Sequence, residues 1–303
     1  MPTQQLIIPP ITPLRADESL DLEAFAQHSA FLVERGAHAL FVAGTTGESA
    51  LLGEAERKEL ARVAVEAVGP RGRVIVHVGG TSSAETRRLA LHARAVGAHA
   101  VAAVTPYYFA YTQEQLIQHY LELLEALEGF PLYAYTIPQR AGNDLTPASL
   151  ARLAGLGIAG IKDSSGDLNK IMAYLRAAPG LEVYAGADVL ALALSRVGGH
   201  GIVSGPSMVM PELFRAMLDA DAGGDFQRAN ALHRLAWAVS DAVGAGARID
   251  WMRAGMEWRG LRAGPSRKPL PTIAPEERPV LEQNLEQLAA QVEALGVRLK
   301  PAA

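Results

Sequence analysis

In Gly97-Ala98-His99-Ala100-Val101-Ala102-Ala103-Val104-Thr105 a glycine closes a helical pattern, and small aliphatic residues run from Ala100 unbroken until Thr105. A strand apolar on both faces is one that is covered on both faces, as in a parallel sheet wrapped by helices. The same junction recurs at Gly36-Ala37-His38 and at Gly199-His200, each time with an aliphatic run behind it. It reads as an αβ turn with a glycine cap on the helix.

Working outward from that junction, short runs rich in Val, Ile and Ala each precede an amphipathic pattern at helical spacing, roughly every 25 residues. The candidate strands are Leu6–Ile11, Ala39–Ala43, Val74–Val78, Ala100–Thr105, Leu132–Thr136, Ile158–Lys162, Glu182–Ala185 and Gly201–Ser204. Eight equal units favour a closed barrel over an open doubly wound sheet, so the expected fold is α/β, a (β/α)8 TIM barrel. His38, His99 and His200 then sit at the N-terminal face of that barrel. A structural role is expected for them, because sites in this fold lie at the opposite face. Beyond Pro211 no ninth strand appears. Phe226–Val243, Ile249–Leu261 and Pro275–Leu295 read as helices, broken by the Pro-rich Gly264–Pro271. The expected division is a catalytic barrel over residues 1–222 and a C-terminal helical extension over 223–303, packed on the barrel.

Composition agrees with one large core: 303 residues, 49% hydrophobic, close to the usual size of such a barrel. A net charge of −4 argues against a polyanion-binding protein, which needs clustered Lys and Arg. Zero cysteines exclude disulfides, thiolate nucleophiles and Cys-ligated metals. The stretch Met1–Pro10 lacks a basic segment ahead of an apolar run, and no stretch is long enough for a membrane helix. The expectation is a cytoplasmic protein with small-molecule substrates and no nucleic-acid or membrane partner.

Positive charge is carried by 23 arginines and only five lysines: Lys58, Lys162, Lys170, Lys268 and Lys300. One of the five stands in an apolar strand, Gly157-Ile158-Ala159-Gly160-Ile161-Lys162-Asp163. The period of two puts Ile158, Gly160 and Lys162 on one face, with Lys162 pointing into the barrel at its C-terminal mouth. Desolvation there disfavours the ammonium form and leaves a neutral amine able to attack a carbonyl carbon. A lysine paired with Asp163, or reaching out to solvent, is the competing reading of this segment.

The neighbouring motifs bear on that choice. Gly44-Thr45-Thr46-Gly47-Glu48-Ser49 is a turn with two hydroxyls and accessible amides, suited to a carboxylate. Thr105-Pro106-Tyr107-Tyr108 brings two phenols to the same rim, although packing is a tyrosine's commoner role. Tyr135 ends the strand adjacent to that of Lys162, where a phenol can exchange protons with a bound substrate. Arg140, in the loop beyond, can hold a carboxylate through a bidentate fork or simply be solvated. No His-x-His or His-Glu-x-x-His cluster is present to supply a metal site.

Together Gly44–Ser49, Val104–Tyr108, Tyr135–Pro138, Gly160–Asp163, Gly186, Gly201–Ser204 and Arg267-Lys268-Pro269 resemble the dihydrodipicolinate synthase and N-acetylneuraminate lyase family. The resemblance implies an imine-forming Lys162, a proton-shuttling Tyr135, and Thr45 and Thr46 as carboxylate clamp and proton relay. Gly186 and Val203 fall among the substrate-binding positions. Tyr108 resembles the tyrosine that family members insert into the site of an adjacent subunit, which implies a homo-oligomer, usually a tetramer. The implied chemistry is a class I, Schiff-base carbon–carbon lyase acting on pyruvate or another 2-keto acid, with the covalent lysine imine in place of a metal or cofactor.

Within the family the motifs divide. Arg140 stands where the synthases bind the carboxylate of aspartate semialdehyde, and where neuraminate lyase carries an apolar residue. Thr136 replaces the Asn usual after the tyrosine, Val78-Gly79-Gly80 is closer to the lyases, and Ala247-Arg248-Ile249-Asp250 replaces Asn-Pro-Ile-Pro. A keto-acid aldolase, lyase or dehydratase is therefore placed ahead of 4-hydroxy-tetrahydrodipicolinate synthase. Two further alternatives are a non-catalytic keto-acid-binding barrel and a phosphate-binding isomerase barrel suggested by the glycines of Gly198–Gly205. The first has no need of Lys162, Tyr135 and Thr46 in combination, and the second leaves Lys162 and Tyr135 idle.

Overall fold

The computed structural model describes residues 4–300, so the outer ends of the expected barrel and extension, residues 1–3 and 301–303, lie outside it. Eight parallel strands close into a barrel in sequence order: β1 Gln5–Ile8, β2 Ala39–Val42, β3 Arg73–His77, β4 Ala100–Val104, β5 Leu132–Thr136, β6 Gly160–Asp163, β7 Glu182–Ala185 and β8 Gly201–Val203. The periodicity located all eight, with differences only at the ends. β1 stops at Ile8 rather than Ile11 because Pro9 and Pro10 have no N–H to give to a ladder. β6 begins at Gly160, two residues later than expected. Ile158 accordingly packs outward with the helices and Ala159 inward, so the alternation read across this segment holds only from Gly160 onward.

The three histidines explain the recurring junction. His38, His99 and His200 each accept, through Nδ1, the backbone N–H of Leu6, Val74 and Val183, at 2.9, 3.2 and 3.2 Å. Each also donates its own backbone N–H to the carbonyl of that same residue, at 2.8 Å in all three cases. The side chain thus satisfies an N–H at the start of the neighbouring strand that the ladder leaves over. Gly36 and Gly97 adopt positive φ, and in the third copy Gly198 rather than Gly199 is the left-handed cap.

Side chains of alternate positions fill the barrel, among them Ile7, Phe41, Tyr133 and Tyr184, while a larger aliphatic cluster lies between strands and helices. Gly160 is demanded by this filling. A Cβ there would lie 2.7 Å from the Tyr133 ring and 2.5 Å from the Glu182 carbonyl oxygen. After the helix Pro211–Ala222 the chain continues through helices Phe226–Ala242, Ile249–Trp258 and Glu277–Ala294. The first of these packs on Pro211–Ala222 and on the turns that follow β7 and β8, which carries it over the mouth of the barrel. No helix among the described residues is long and apolar enough to cross a membrane.

Candidate active site

Tyr135 and Lys162 are register partners on β5 and β6. Both point into the barrel at its C-terminal end, and both are buried. The Lys162 Nζ lies 4.1 Å from the centre of the Tyr135 ring and 4.4 Å from that of Phe41. Burial pulls the pKa of Lys162 below the usual lysine value, with Tyr135 opposing the shift. The competing pairing with Asp163 does not form, because the next residue along a strand faces the other way. Asp163 is taken by Lys170 at 2.7 Å, by the Thr136 hydroxyl at 2.8 Å and by the Ser165 amide at 2.9 Å. Thr136, the departure from the family pattern, therefore serves the back of β6.

Three neighbours set Tyr135. Its hydroxyl is 3.2 Å from Thr45 Oγ1. Its ring meets those of Phe41 and His77 edge-on, at 5.8 Å from each. His77 is held neutral by burial first and by the nearby Arg57 charge second. Its Nε2 accepts the Val104 amide at 3.3 Å, which leaves Nδ1–H to donate to the Ala43 carbonyl at 2.8 Å. Such a ring is a wall and not a base.

The loop bearing Thr45 and Thr46 is fastened from the C-terminal extension. Glu48, left-handed at φ 60° and buried, accepts from the Arg253 Nε at 3.0 Å, from Arg253 Nη2, and through its other oxygen from the Arg267 amide at 2.8 Å. Arg253 also donates to the carbonyls of Ala263 and Thr12, each at 2.7 Å, and the Thr12 hydroxyl to that of Gly47 at 2.7 Å.

The space in front of Lys162 has two arms. A cavity of about 500 Å³ over β5 to β8 is lined by Thr45, Thr46, Tyr135, Arg140, Lys162, Gly186 and Val203, seven of the residues singled out from the sequence. Gly186 leaves little room for a side chain, since a Cβ there would sit 2.9 Å from the Ser164 Cβ and 3.2 Å from its Cα. The second arm, about 300 Å³ over β2 to β5, is largely aliphatic, with Leu51, Val104, Ile249 and Leu270 in its wall, and shares Thr45, Tyr135, Ile137 and Arg140 with the first. Tyr108 is not brought to either arm. It stands 84% exposed at φ +81°, edge-on to the exposed Phe109, while its neighbour Tyr107 lines the smaller arm. Sequence reasoning missed Phe41, His77, Asp188, Trp237 and Ser240. Among the described residues no three His, Asp or Glu side chains converge as metal ligands.

Known proteins resemble this chain in sequence and in fold. A 4-hydroxy-tetrahydrodipicolinate synthase of Moorella thermoacetica is 38% identical, over 95% of this chain and 96% of its own. The KD(P)GA of T. tenax superposes with a TM-score of 0.87 at 32% identity, covering 95% of this chain and 100% of that one. YagE of E. coli K12, solved in complex with pyruvate, gives 0.88 at 27% identity, over 94% of this chain and 98% of that one. The sequence model of the dihydrodipicolinate synthetase family matches residues 2–288, and with the buried lysine and its tyrosine at the mouth of an eight-stranded barrel, the chain belongs to that family of Schiff-base lyases.

Proposed function

We propose that the protein makes or breaks a carbon–carbon bond next to a 2-keto acid, with Lys162 as the covalent catalyst. One observation carries this. Lys162 is buried with no ion-pair partner among the described residues, and burial favours its neutral form.

The neutral Nζ adds to C2 of pyruvate, whose carboxylate is held by Thr46 and the loop amides. The carbinolamine hydroxyl leaves as water with a proton passed through Tyr135 and Thr45, giving an iminium. Loss of a C3 proton yields an enamine, and C3 then attacks an aldehyde carbon whose oxygen takes up a proton. Hydrolysis of the iminium releases the product and restores the amine, and the reverse order cleaves the same bond. The lysine imine is itself the electron sink, so these steps call on no metal or prosthetic group.

A keto-acid aldolase, lyase or dehydratase is the first reading of the second substrate. Condensation of pyruvate with aspartate semialdehyde is the second, and Arg140 in the wall of both arms favours it. Tyr108, exposed and in a left-handed conformation at the rim, suits a residue offered to the site of an adjacent subunit, so we assign the protein to a homo-oligomer, a tetramer by preference. We assign residues 1–222 to the catalytic barrel and 223–303 to the extension, of which residues 4–222 and 223–300 are described. A cytoplasmic setting, where 2-keto acids are made, fits this chemistry.

The test is borohydride reduction in the presence of pyruvate. A reduced pyruvyl adduct on Lys162, found by peptide mass spectrometry, is expected together with loss of activity. Adduct formation should persist to lower pH than an ordinary lysine allows and fail as pH falls through the depressed pKa of Lys162, where the amine protonates. An unchanged mass, or an adduct elsewhere, refutes the assignment.

A further inference from the structure

Beyond β4 the chain makes a loop that carries Tyr107 into the wall of the smaller arm and Tyr108 out to solvent. Tyr108 sits there at φ +81°, a conformation that a bulky residue takes only where its surroundings impose it. One side chain from outside the loop holds it from both ends. Asn143, buried at 6% exposure, donates from Nδ2 to the carbonyls of Pro106 at 2.8 Å and Phe109 at 2.7 Å. Its Oδ1 accepts the amide of Tyr111 at 3.0 Å, and its own carbonyl accepts the Thr105 hydroxyl at 3.1 Å. Both Nδ2 protons are thus used within the loop, and the bonds fall on either side of the two tyrosines.

Asn143 is itself mounted on a fixed segment. The Asp144 carboxylate accepts from Lys170 at 2.8 Å, and the same Lys170 reaches Asp163, the residue after Lys162 on β6, at 2.7 Å. The Asp144 carbonyl accepts from Gln113 Nε2 at 2.8 Å, and the Leu145 carbonyl accepts the Tyr174 hydroxyl at 2.6 Å. A buried amide whose backbone is tied down in this way sets the geometry of what it binds. The loop of the two tyrosines is therefore referenced, through Asn143, Asp144 and Lys170, to the strand that bears the reactive lysine.

We propose that Asn143 is a positioning residue for the reaction: it fixes the loop 106–111 so that Tyr108 is presented in one orientation to the site of the adjacent subunit. This rests on the reading of Tyr108 given above and adds the group that enforces it. Asn143 touches neither substrate nor the reacting atoms and acts through Tyr108 alone. A residue that merely stabilised the barrel would act whether or not Tyr108 was present.

The test is a double-mutant cycle read on pyruvate alone, as exchange of its C3 protons for deuterium in D2O followed by proton NMR. That exchange passes through the iminium and enamine at Lys162 and needs no second substrate. Tyr108→Gly removes the ring and takes the positive φ without strain, and it should lower the kcat of exchange roughly 100-fold. Asn143→Ala should lower kcat roughly 10- to 100-fold while moving the pyruvate KM less than about 3-fold. Asn143→Asp, which keeps the acceptor for Tyr111 and loses both donors, should behave like Asn143→Ala. In the Tyr108→Gly background Asn143→Ala should lower kcat by less than about 2-fold further, because nothing is left to position. Losses that multiply overturn the inference, since Asn143 then acts by a route other than Tyr108. A wild-type kcat in Asn143→Ala, with Tyr108→Gly impaired, also overturns it and leaves the reading of Tyr108 standing. A wild-type kcat in Tyr108→Gly removes that reading and this inference with it. If neither Asn143 variant folds, the wild-type protein decides: its Tyr111 amide should be protected from hydrogen exchange about 100-fold or more over an unstructured chain, and free exchange overturns the inference.

Discussion

Replacing Arg253 with Met removes a buried cation that joins the C-terminal helices to the loop of Thr45 and Thr46. In the folded protein it donates to Glu48, Thr12 and Ala263, and its pair with Glu48 is 3% and 1% exposed at the two side chains. Surface pairs such as Arg62–Glu66, 40% and 63% exposed, contribute about 0.3–0.5 kcal/mol. Removing one partner of a buried pair costs about 3–5 kcal/mol instead, because the other charge stays behind without water. Two carbonyls also lose a donor. The Arg267 amide remains on Glu48 and keeps the expected loss within that range. Scaled by roughly 2–4 °C per kcal/mol for a large domain, Arg253→Met should lower Tm by about 6–20 °C in scanning calorimetry. Below that Tm, the pyruvate concentration giving half-maximal borohydride trapping should rise about 10-fold or more as the threonine loop loosens. Arg253→Lys, which restores the charge without the fork, should recover part of both. A Tm within about 2 °C of wild type in Arg253→Met, with trapping unchanged, shows that the loop stands without the clamp.

Two further substitutions separate the roles around the lysine. Tyr135→Phe keeps the ring against Phe41 and His77 but loses the hydroxyl, so the fold should survive while turnover drops roughly 10²- to 10⁴-fold; near-normal turnover excludes the phenol from proton transfer. Arg140→Ala should weaken use of a carboxylate-bearing aldehyde by about 10- to 100-fold while leaving imine formation with pyruvate largely intact; an equal fall in trapping with pyruvate alone means that Arg140 organises the lysine site.

The barrel and its lysine were legible because both are written in short-range patterns. Aliphatic runs, glycine caps and the strand period do not depend on the rest of the chain, and from Gly160 onward that period aims Lys162 inward correctly. Its failure at Ile158 has a local cause, since a residue still in the αβ turn has no strand face. The further residues of the site come from contacts that no window contains. Phe41 and His77 look like ordinary members of β2 and β3, and only barrel closure sets them against Tyr135. Asp188 follows Gly186 closely enough to be seen, but its hydrogen-bond partner Ser240 lies 52 residues later in the chain. Arg253 and Glu48 are 205 residues apart, and nothing near either one advertises the other.

The helix Phe226–Ala242 lies outside the alternation of strand and helix, yet it puts Trp237, Ser240 and Asp241 into the cavity wall. Part of the wall around the lysine therefore comes from a stretch of the polypeptide that carries none of the imine-forming groups. Drift in the later stretch can change which molecules are accepted while the electron-sink machinery stays as it is. A lineage built this way can exchange one diet for another by editing its roof, with no need to reinvent the hearth beneath.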